Sequence, residues 1–375
     1  MKGIEAGMAA YKGLAKGVQP NWQGLVDNIL RKGTPDRVYN LELSLDLKIA
    51  AAIFERFGLA DGLSADDPWS FQKQQIAVNR FCGLDFVVSR ATKMYMPFNT
   101  HTAQDTAILK NDAGRTFIDE HRGPITTWEE FEKYPWPDPA KVDVNELDWY
   151  CHNLPEGMCI VAVYLGHFAE ELSFLMGYET LCYALFDNRD LVAAIAERLE
   201  QLYVGFLKTM LRFDRVKIVF ASDDMGFKTG LLISPDDTRQ FVLKGHKRLA
   251  QMSLDAGRPY ILHCCGRLSD IIDDLIDDVG IDGKHSFEDT IEGVRHAKHT
   301  YGRQTALLGG IDMDFLCRSD EPAIRRRVRE TLDACMPGGG YCLGTGNTVA
   351  NYVPIDNYLA MVDEGMLYEV RGPRS

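Results

Sequence analysis

The run Pro259-Tyr260-Ile261-Leu262-His263-Cys264-Cys265-Gly266 carries a short apolar stretch into an imidazole, two thiols and a glycine. In an extended chain the side chains alternate, so residues two apart share a face. His263 and Cys265 therefore point one way and Cys264 the other. One nitrogen and one sulfur ligand on a common face suit zinc, once other elements complete the shell. His-x-Cys is a weak signal by itself, because both residue types are equally at home in a packed core. Other chemistry-bearing residues also follow apolar runs: His167 after 159–165, Asp223 and Asp224 after 216–221, His285 and Glu288 within 281–288, Asp312 after 306–311, and Thr345 and Asn347 after 341–344. Carboxylates and imidazoles gathered in this way can move protons, hold a cation or grip a polar substrate.

Such residues need a scaffold that brings the ends of their strands together. From residue 158 onward the pattern alternates. Apolar runs at 159–165, 216–221, 259–265, 281–288, 306–312 and 338–347 read as strands. Between and after them lie helical segments: 170–186 with Gly177 as a break, 190–211, 234–256 opened by Ser234 and Pro235, 267–279, 291–301, 321–335 and 355–367. The segment 267–279 has one apolar stripe, Leu268, Ile271, Ile272, Leu275, Ile276 and Val279, opposite a solvated row of aspartates. Two earlier strands are expected, at 37–43 with Glu42 near its end and around Val87 and Val88 continuing to 93–96. Apolar strands bounded by helices imply a parallel sheet covered on both faces. Eight such units predict an α/β fold, a closed (β/α)8 TIM barrel, whose active site lies at the carboxyl ends of the strands. No G-x-G-x-x-G opens the first unit, which ranks an open doubly wound sheet lower.

Residues 1–375 read as a single barrel domain with two additions. Residues 1–35 form a helical N-terminal extension. Residues 86–120 hold a β-hairpin decoration, with strands at 107–110 and 115–118 around a turn at 111–114. Thr126 or Thr127 caps a short helix that Pro135, Pro137 and Pro139 end.

Composition excludes several classes. Of 375 residues, 46% are apolar and 25% charged, an ordinary globular balance. A net charge of −13 repels phosphate backbones and argues against nucleic acid as a partner. The apolar runs are too short to span a bilayer, and Met1 to Pro20 lacks the continuous apolar core of a signal peptide. Nine cysteines without a framework spacing read as reduced thiols in a cytoplasmic protein.

These residues together resemble the uroporphyrinogen decarboxylase superfamily, and more closely its corrinoid-dependent methyltransferase branch, the methyltransferase I components of O-demethylases. The matching stretches are Gly-Pro-Ile-Thr-Thr-Trp-Glu-Glu-Phe-Glu at 123–132 with Trp136 and Pro137, Gly-His-Phe-Ala-Glu-Glu-Leu at 166–172, Leu-Met-Gly-Tyr-Glu at 175–179, Asp-Asp-Met-Gly at 223–226, Leu-His-Cys-Cys-Gly at 262–266, Leu-Leu-Gly-Gly-Ile-Asp at 307–312, and Leu-Gly-Thr-Gly-Asn at 343–347 with Pro354 and Asn357. Their order and spacing over roughly 120–367 are specific; the N-terminal third matches less clearly.

The resemblance implies a methyltransferase. It would move a methyl group from a small methylated substrate, such as a methoxylated aromatic or another methyl ether, to cobalt(I) of a separate corrinoid (cobalamin) protein. Zinc on His263 and Cys265 would assist. Asp223, Glu288 and His285 are the expected catalytic residues, and His167, Asp224 and Asn347 the expected substrate contacts. The branch carries a third zinc ligand, a cysteine, at the last strand end. It would fall near Thr345, where this chain has none. Glu171, Asp223, Asp224, His285, Glu288 and Cys342 remain as alternatives. No Asp-x-His-x-x-Gly corrinoid segment occurs in the chain, in keeping with a separate carrier, and a homodimer is a possible assembly. A metal-free decarboxylase is the second reading, against which the missing arginine-rich signature counts. A non-catalytic barrel that binds a tetrapyrrole or corrinoid is the third.

Overall fold

The computed structural model describes residues 10–60, 64, 66–92, 94–107, 109, 110 and 112–370. Nine strands are present among them: β1 (Phe86–Ser89), β2 (Thr100–Ala103), β3 (Arg115–Ile118), β4 (Cys159–Ala162), β5 (Val216–Ser222), β6 (Tyr260–His263), β7 (Gly283–His285), β8 (Ala306–Leu308) and β9 (Tyr341–Cys342). Seven of them form one all-parallel sheet in the order β1-β4-β5-β6-β7-β8-β9. The helices between successive strands cover its outer face, as parallel crossovers require.

The eighth position is filled by a fragment. Asn40 makes a parallel bridge to Leu343, with Leu41 N donating to Leu343 O at 2.8 Å and Leu343 N to Tyr39 O at 2.9 Å. The 37–43 segment thus flanks β9, with Glu42 at its end. Between this segment and β1 lies a cavity of 290 Å³, lined by Glu42, Leu43, Leu45, Phe86 and Val88 among others. The chain is a curled (β/α) barrel whose wall is parted at this seam.

Period two is visible in the packing. Val161, Ile218, Phe220 and Ile261 belong to one core, while Ile160, Ala162, Val219, Ala221 and Leu262 belong to the other. His263 continues the Ile261 face, and Cys264 continues the Leu262 face, where it is buried and accepts from Met225 N at 3.3 Å. The alternation read from the sequence therefore separates the two thiols.

Helix punctuation follows local chemistry. Gly177, at φ 79°, breaks the predicted 170–186 helix into Phe168–Met176 and Tyr178–Asp187. Thr127 closes a capping box with Glu130 on Trp128–Lys133. Glu321–Cys335 and Ile355–Leu367 have the predicted bounds. The helices Ser70–Phe81 and Asn145–Asn153 were not anticipated.

The decoration differs from expectation. Phe86–Ser89 is a barrel strand, not part of the hairpin, and it pairs with β4. The hairpin joins β2 to β3, with Thr100 opposite Ile118 and Ala103 opposite Arg115. The predicted first strand at 107–110 is a loop at its described positions. Leu109 packs on the core there, and its carbonyl accepts from Asn351 Nδ2 at 2.9 Å. The sequence signal pointed to 107–110 because its residues are apolar, whereas β2 is exposed at every position and has no apolar alternation. Residues 94–96 are not a strand either. Residues 1–9 of the helical extension, with Lys93, Ile108 and Asn111, lie outside the described residues; the rest of the extension holds helices Lys12–Lys16 and Trp22–Ile29. No helix among the described residues is long and apolar enough to cross a membrane.

Candidate metal centre and substrate cavity

Two neighbouring strand ends bring three side chains to one group of candidate ligand atoms. Asp224 follows β5, His263 ends β6 and Cys265 lies two residues further on. One oxygen, one nitrogen and one sulfur from these residues all lie within 4.8 Å of one another. His263 Nε2 is 3.4 Å from Cys265 Sγ and 3.6 Å from Asp224 Oδ1. Ligands on a tetrahedral zinc, with bonds of about 2.0–2.3 Å, stand roughly 3.3–3.8 Å apart. The donor set and its spacing fit a zinc ion with a fourth position left for water or substrate. Asp224 is 42% exposed in its side chain while His263 is buried, so the group opens to one side only.

The backbone holds these ends in register. Asp223 N donates to His263 O at 2.9 Å, Cys264 N to His285 O at 2.8 Å, and Cys265 N to Asp224 Oδ1 at 2.9 Å. The turn after Cys265 requires glycine. Gly266 sits at φ +83°, and a Cβ there would meet the carbonyl carbon of Gly226 at 2.2 Å.

The imidazole tautomers follow from their partners. His285 Nε2 faces the Thr345 carbonyl at 3.2 Å, so it must carry the proton. In a neutral ring, His285 Nδ1 is then an acceptor. It stands 2.7 Å from His263 Nδ1, which must donate. His263 Nε2 is left with a free lone pair facing Cys265 and Asp224. Both rings are held neutral. Burial, then the Lys284 charge and His167, bring the His263 pKa down to about 3. Burial, then His263 and Lys284, push His285 well below its usual value. This is the relay by which an outer hydrogen-bond partner fixes a metal-binding histidine. Cys265 is raised to about 12, by burial first and the Asp224 charge second. Both causes favour the protonated thiol over the thiolate.

The other predicted residues have the following places. Asn347 Nδ2 donates to Cys265 Sγ at 3.1 Å, while its Oδ1 accepts from Thr348 N at 2.7 Å. Asn347 thus lies beside the sulfur. Glu288 lines an open depression with Asp312, Asn347 and Tyr352. Burial, then the charges of Asp312 and Asp224, raise its pKa. His285 is fully buried with both nitrogens engaged, so it orients His263 instead of facing substrate. Cys342 lies deep in β9, where its sulfur accepts from Asn28 Nδ2 at 3.4 Å.

Asp223 departs most from its expected role as a pocket acid. It is fully buried. Its oxygens accept from Ala169 N at 2.9 Å and Glu170 N at 3.0 Å, and His246 Nε2 lies 2.9 Å away. His246 in turn contacts the Tyr260 hydroxyl at 2.8 Å. The N-cap residue of Phe168–Met176, His167, makes no side-chain cap. Asp223 supplies that cap from the neighbouring strand end, where a carboxylate is favoured.

That helix faces a cavity of 470 Å³ lined by Arg90, Met94, Tyr95, Met96, Phe98, Tyr164, His167, Glu170, Glu171, Phe174, Tyr203 and Phe206 among others. His167 Nδ1 lies 2.8 Å from Glu170 Oε2. Burial opposes the imidazolium, but Glu170 outweighs it, and the His167 pKa is raised. Glu171 is pushed up to about 8, chiefly by burial, and its Oε2 has no hydrogen-bond partner among the described residues. The Arg90 guanidinium lies 4.0 Å from the centre of the Tyr164 ring, and Tyr164 is held at φ 59°. A non-glycine residue in that region marks a constrained position at the cavity rim. The cavity was not foreseen, because 93–96 was read as a barrel strand, whereas Met94, Tyr95 and Met96 lie in irregular chain that lines it.

Residues 123–365, more than half of the chain, match the family model described as uroporphyrinogen decarboxylase (URO-D). A methylcobamide:CoM methyltransferase (MtaA) of Methanosarcina barkeri is 29% identical over 131 residues, 35% of this chain and 36% of that protein. A methylated-thiol–coenzyme M methyltransferase of Methanosarcina mazei is 32% identical over 146 residues, 39% of this chain and 36% of that protein. The matched segments thus span just over a third of these relatives. A solved methyltransferase from Methanosarcina mazei superposes with a TM-score of 0.65 at 18% identity, covering 91% of this chain and 97% of that one, which shows the shared fold. The chain belongs to the uroporphyrinogen decarboxylase family.

Proposed function

We propose that this protein is a methyltransferase that takes a methyl group from a small methyl ether, a methoxylated aromatic above all, and passes it to cobalt(I) of a separate corrinoid protein. The observation that carries the reading is the oxygen, nitrogen and sulfur group of Asp224, His263 and Cys265, with the His263 lone pair already aimed into it. The partial similarity to methylcobamide and methylated-thiol methyltransferases supports it. Nine free cysteines fit a reducing cytoplasm.

Asp224, His263 and Cys265 would hold zinc, which when bound supplies a Lewis acid for the heteroatom that bears the methyl group. His285 keeps His263 in the ligand tautomer. Asn347 donates to the sulfur and eases its ionisation. The cavity beside His167 offers Tyr95, Phe98, Phe174 and Phe206 to an aromatic ring. As the methyl group leaves, the carbon–oxygen electron pair stays on oxygen, which needs a proton. Glu288, whose pKa is raised by burial and by the charges of Asp312 and Asp224, would supply it.

The test is methyl transfer to cob(I)alamin from methoxylated aromatics, methylamines and methanol, before and after chelation. The expected result is turnover of a methoxylated aromatic that chelation abolishes and zinc restores. Full activity in metal-free protein would remove the metal role, and transfer from methylamines or methanol alone would remove the ether.

A further inference from the structure

We propose that Glu42 and Thr345 form a buried positioning pair that sets the geometry of the metal centre from behind, through both its nitrogen and its sulfur ligand. The inference rests on the metal reading above. Thr345 is fully buried and stands at the foot of two hydrogen-bond arms. Its carbonyl accepts from His285 Nε2 at 3.2 Å, and His285 in turn fixes His263. Its hydroxyl lies 2.5 Å from the Asn347 carbonyl, and the Asn347 side chain donates to Cys265 Sγ. One residue therefore governs the orientation of the ligand nitrogen and the environment of the ligand sulfur.

Glu42 holds Thr345 in place. Thr345 N donates to Glu42 Oε1 at 3.3 Å and Oε2 at 3.0 Å, and Thr345 Oγ1 lies 2.5 Å from Glu42 Oε2. A threonine hydroxyl has one proton. It cannot donate to both the Asn347 carbonyl and the Glu42 carboxyl. The carbonyl can only accept, so Thr345 donates there and the Glu42 carboxyl must donate to Thr345. Glu42 is therefore protonated, in keeping with burial, which outweighs the Thr345 bonds and raises its pKa to about 8. Glu42 belongs to the fragment that flanks β9, so this carboxylic acid ties the barrel seam to the site. Neither residue touches the ligand atoms, and both act through others.

Cobalt(II) titration of the full-length protein, read by its ligand-field and thiolate charge-transfer bands and by chelator competition, tests the pair. Thr345→Val and Glu42→Leu are expected to weaken cobalt binding about 10–100-fold and to shift the ligand-field bands, the usual effect of removing outer-shell support. Glu42→Gln donates to the hydroxyl and accepts from the amide as the protonated acid does, so it should stay within about threefold of wild type, with an unchanged spectrum. Thermal melts report whether each variant folds; if Glu42→Leu does not, the Thr345→Val and Glu42→Gln arms decide. Wild-type affinity and spectrum in Thr345→Val, or failure of Glu42→Gln to match wild type, would overturn the pair while leaving the metal reading intact. A wild-type protein that takes up no cobalt would overturn both.

Discussion

Asp223→Ala separates a structural carboxylate from a catalytic one. In the folded protein Asp223 accepts from two helix N-terminal amides and contacts His246, with none of it exposed to water. Truncation leaves two helix amides and the His246 imidazole without their partner. Each orphaned group costs about 1–3 kcal/mol. Some of these groups will find water, so a loss of roughly 4 kcal/mol is expected. Asp223→Asn keeps one acceptor oxygen and should cost about 2 kcal/mol by the same reasoning. Urea unfolding followed by circular dichroism gives the stability, and methyl transfer per folded molecule gives the activity. The account expects both midpoints to fall, alanine more than asparagine, while Asp223→Asn retains substantial turnover. An Asp223→Asn protein with a wild-type midpoint and no turnover would make Asp223 the catalytic acid and refute the capping role.

Two further outcomes follow from the same geometry. His285→Phe leaves His263 Nδ1 without its acceptor, so His263 either keeps a buried unpaired N–H or moves its proton to Nε2 and covers the ligand lone pair; zinc affinity by chelator competition should drop about 10–100-fold, and an unchanged affinity would dismiss the relay. Between about pH 4.5 and pH 8 the folded protein holds a proton on Glu42 that the unfolded chain releases, so this group makes stability fall as pH rises through that window. Glu42→Gln should flatten the decline between pH 5.5 and 7.5 by up to about 3 kcal/mol in urea unfolding, and an undiminished slope would mean that Glu42 is ionised when folded.

The sequence made the barrel legible wherever burial on both faces leaves a continuous apolar run. Cys159–Ala162, Val216–Ser222 and Tyr260–His263 are such runs, and strand alternation was enough to part Cys265 from Cys264. The hairpin was misplaced because an exposed strand such as Thr100–Ala103 carries no apolar signature, while the apolar 107–110 segment is a loop packed on the core. His263 and Cys265 could be paired from spacing alone, since they lie on one strand end. The proposed third ligand could not, because choosing Asp224 over Asp223 depends on which of two adjacent side chains turns towards β6 and which towards the Phe168–Met176 helix. The Glu42–Thr345 contact joins the 37–43 segment to the end of β9, between residues some three hundred positions apart, and no local pattern announces it.

The most direct test of the central claim is X-ray absorption at the zinc edge of the full-length protein, with metal content measured on the same sample. The account predicts one zinc per chain with a single sulfur neighbour at about 2.3 Å and nitrogen or oxygen neighbours at about 2.0–2.2 Å, the sulfur shell vanishing in Cys265→Ser. A protein that retains no zinc, or a zinc whose sulfur shell survives that substitution, would contradict it.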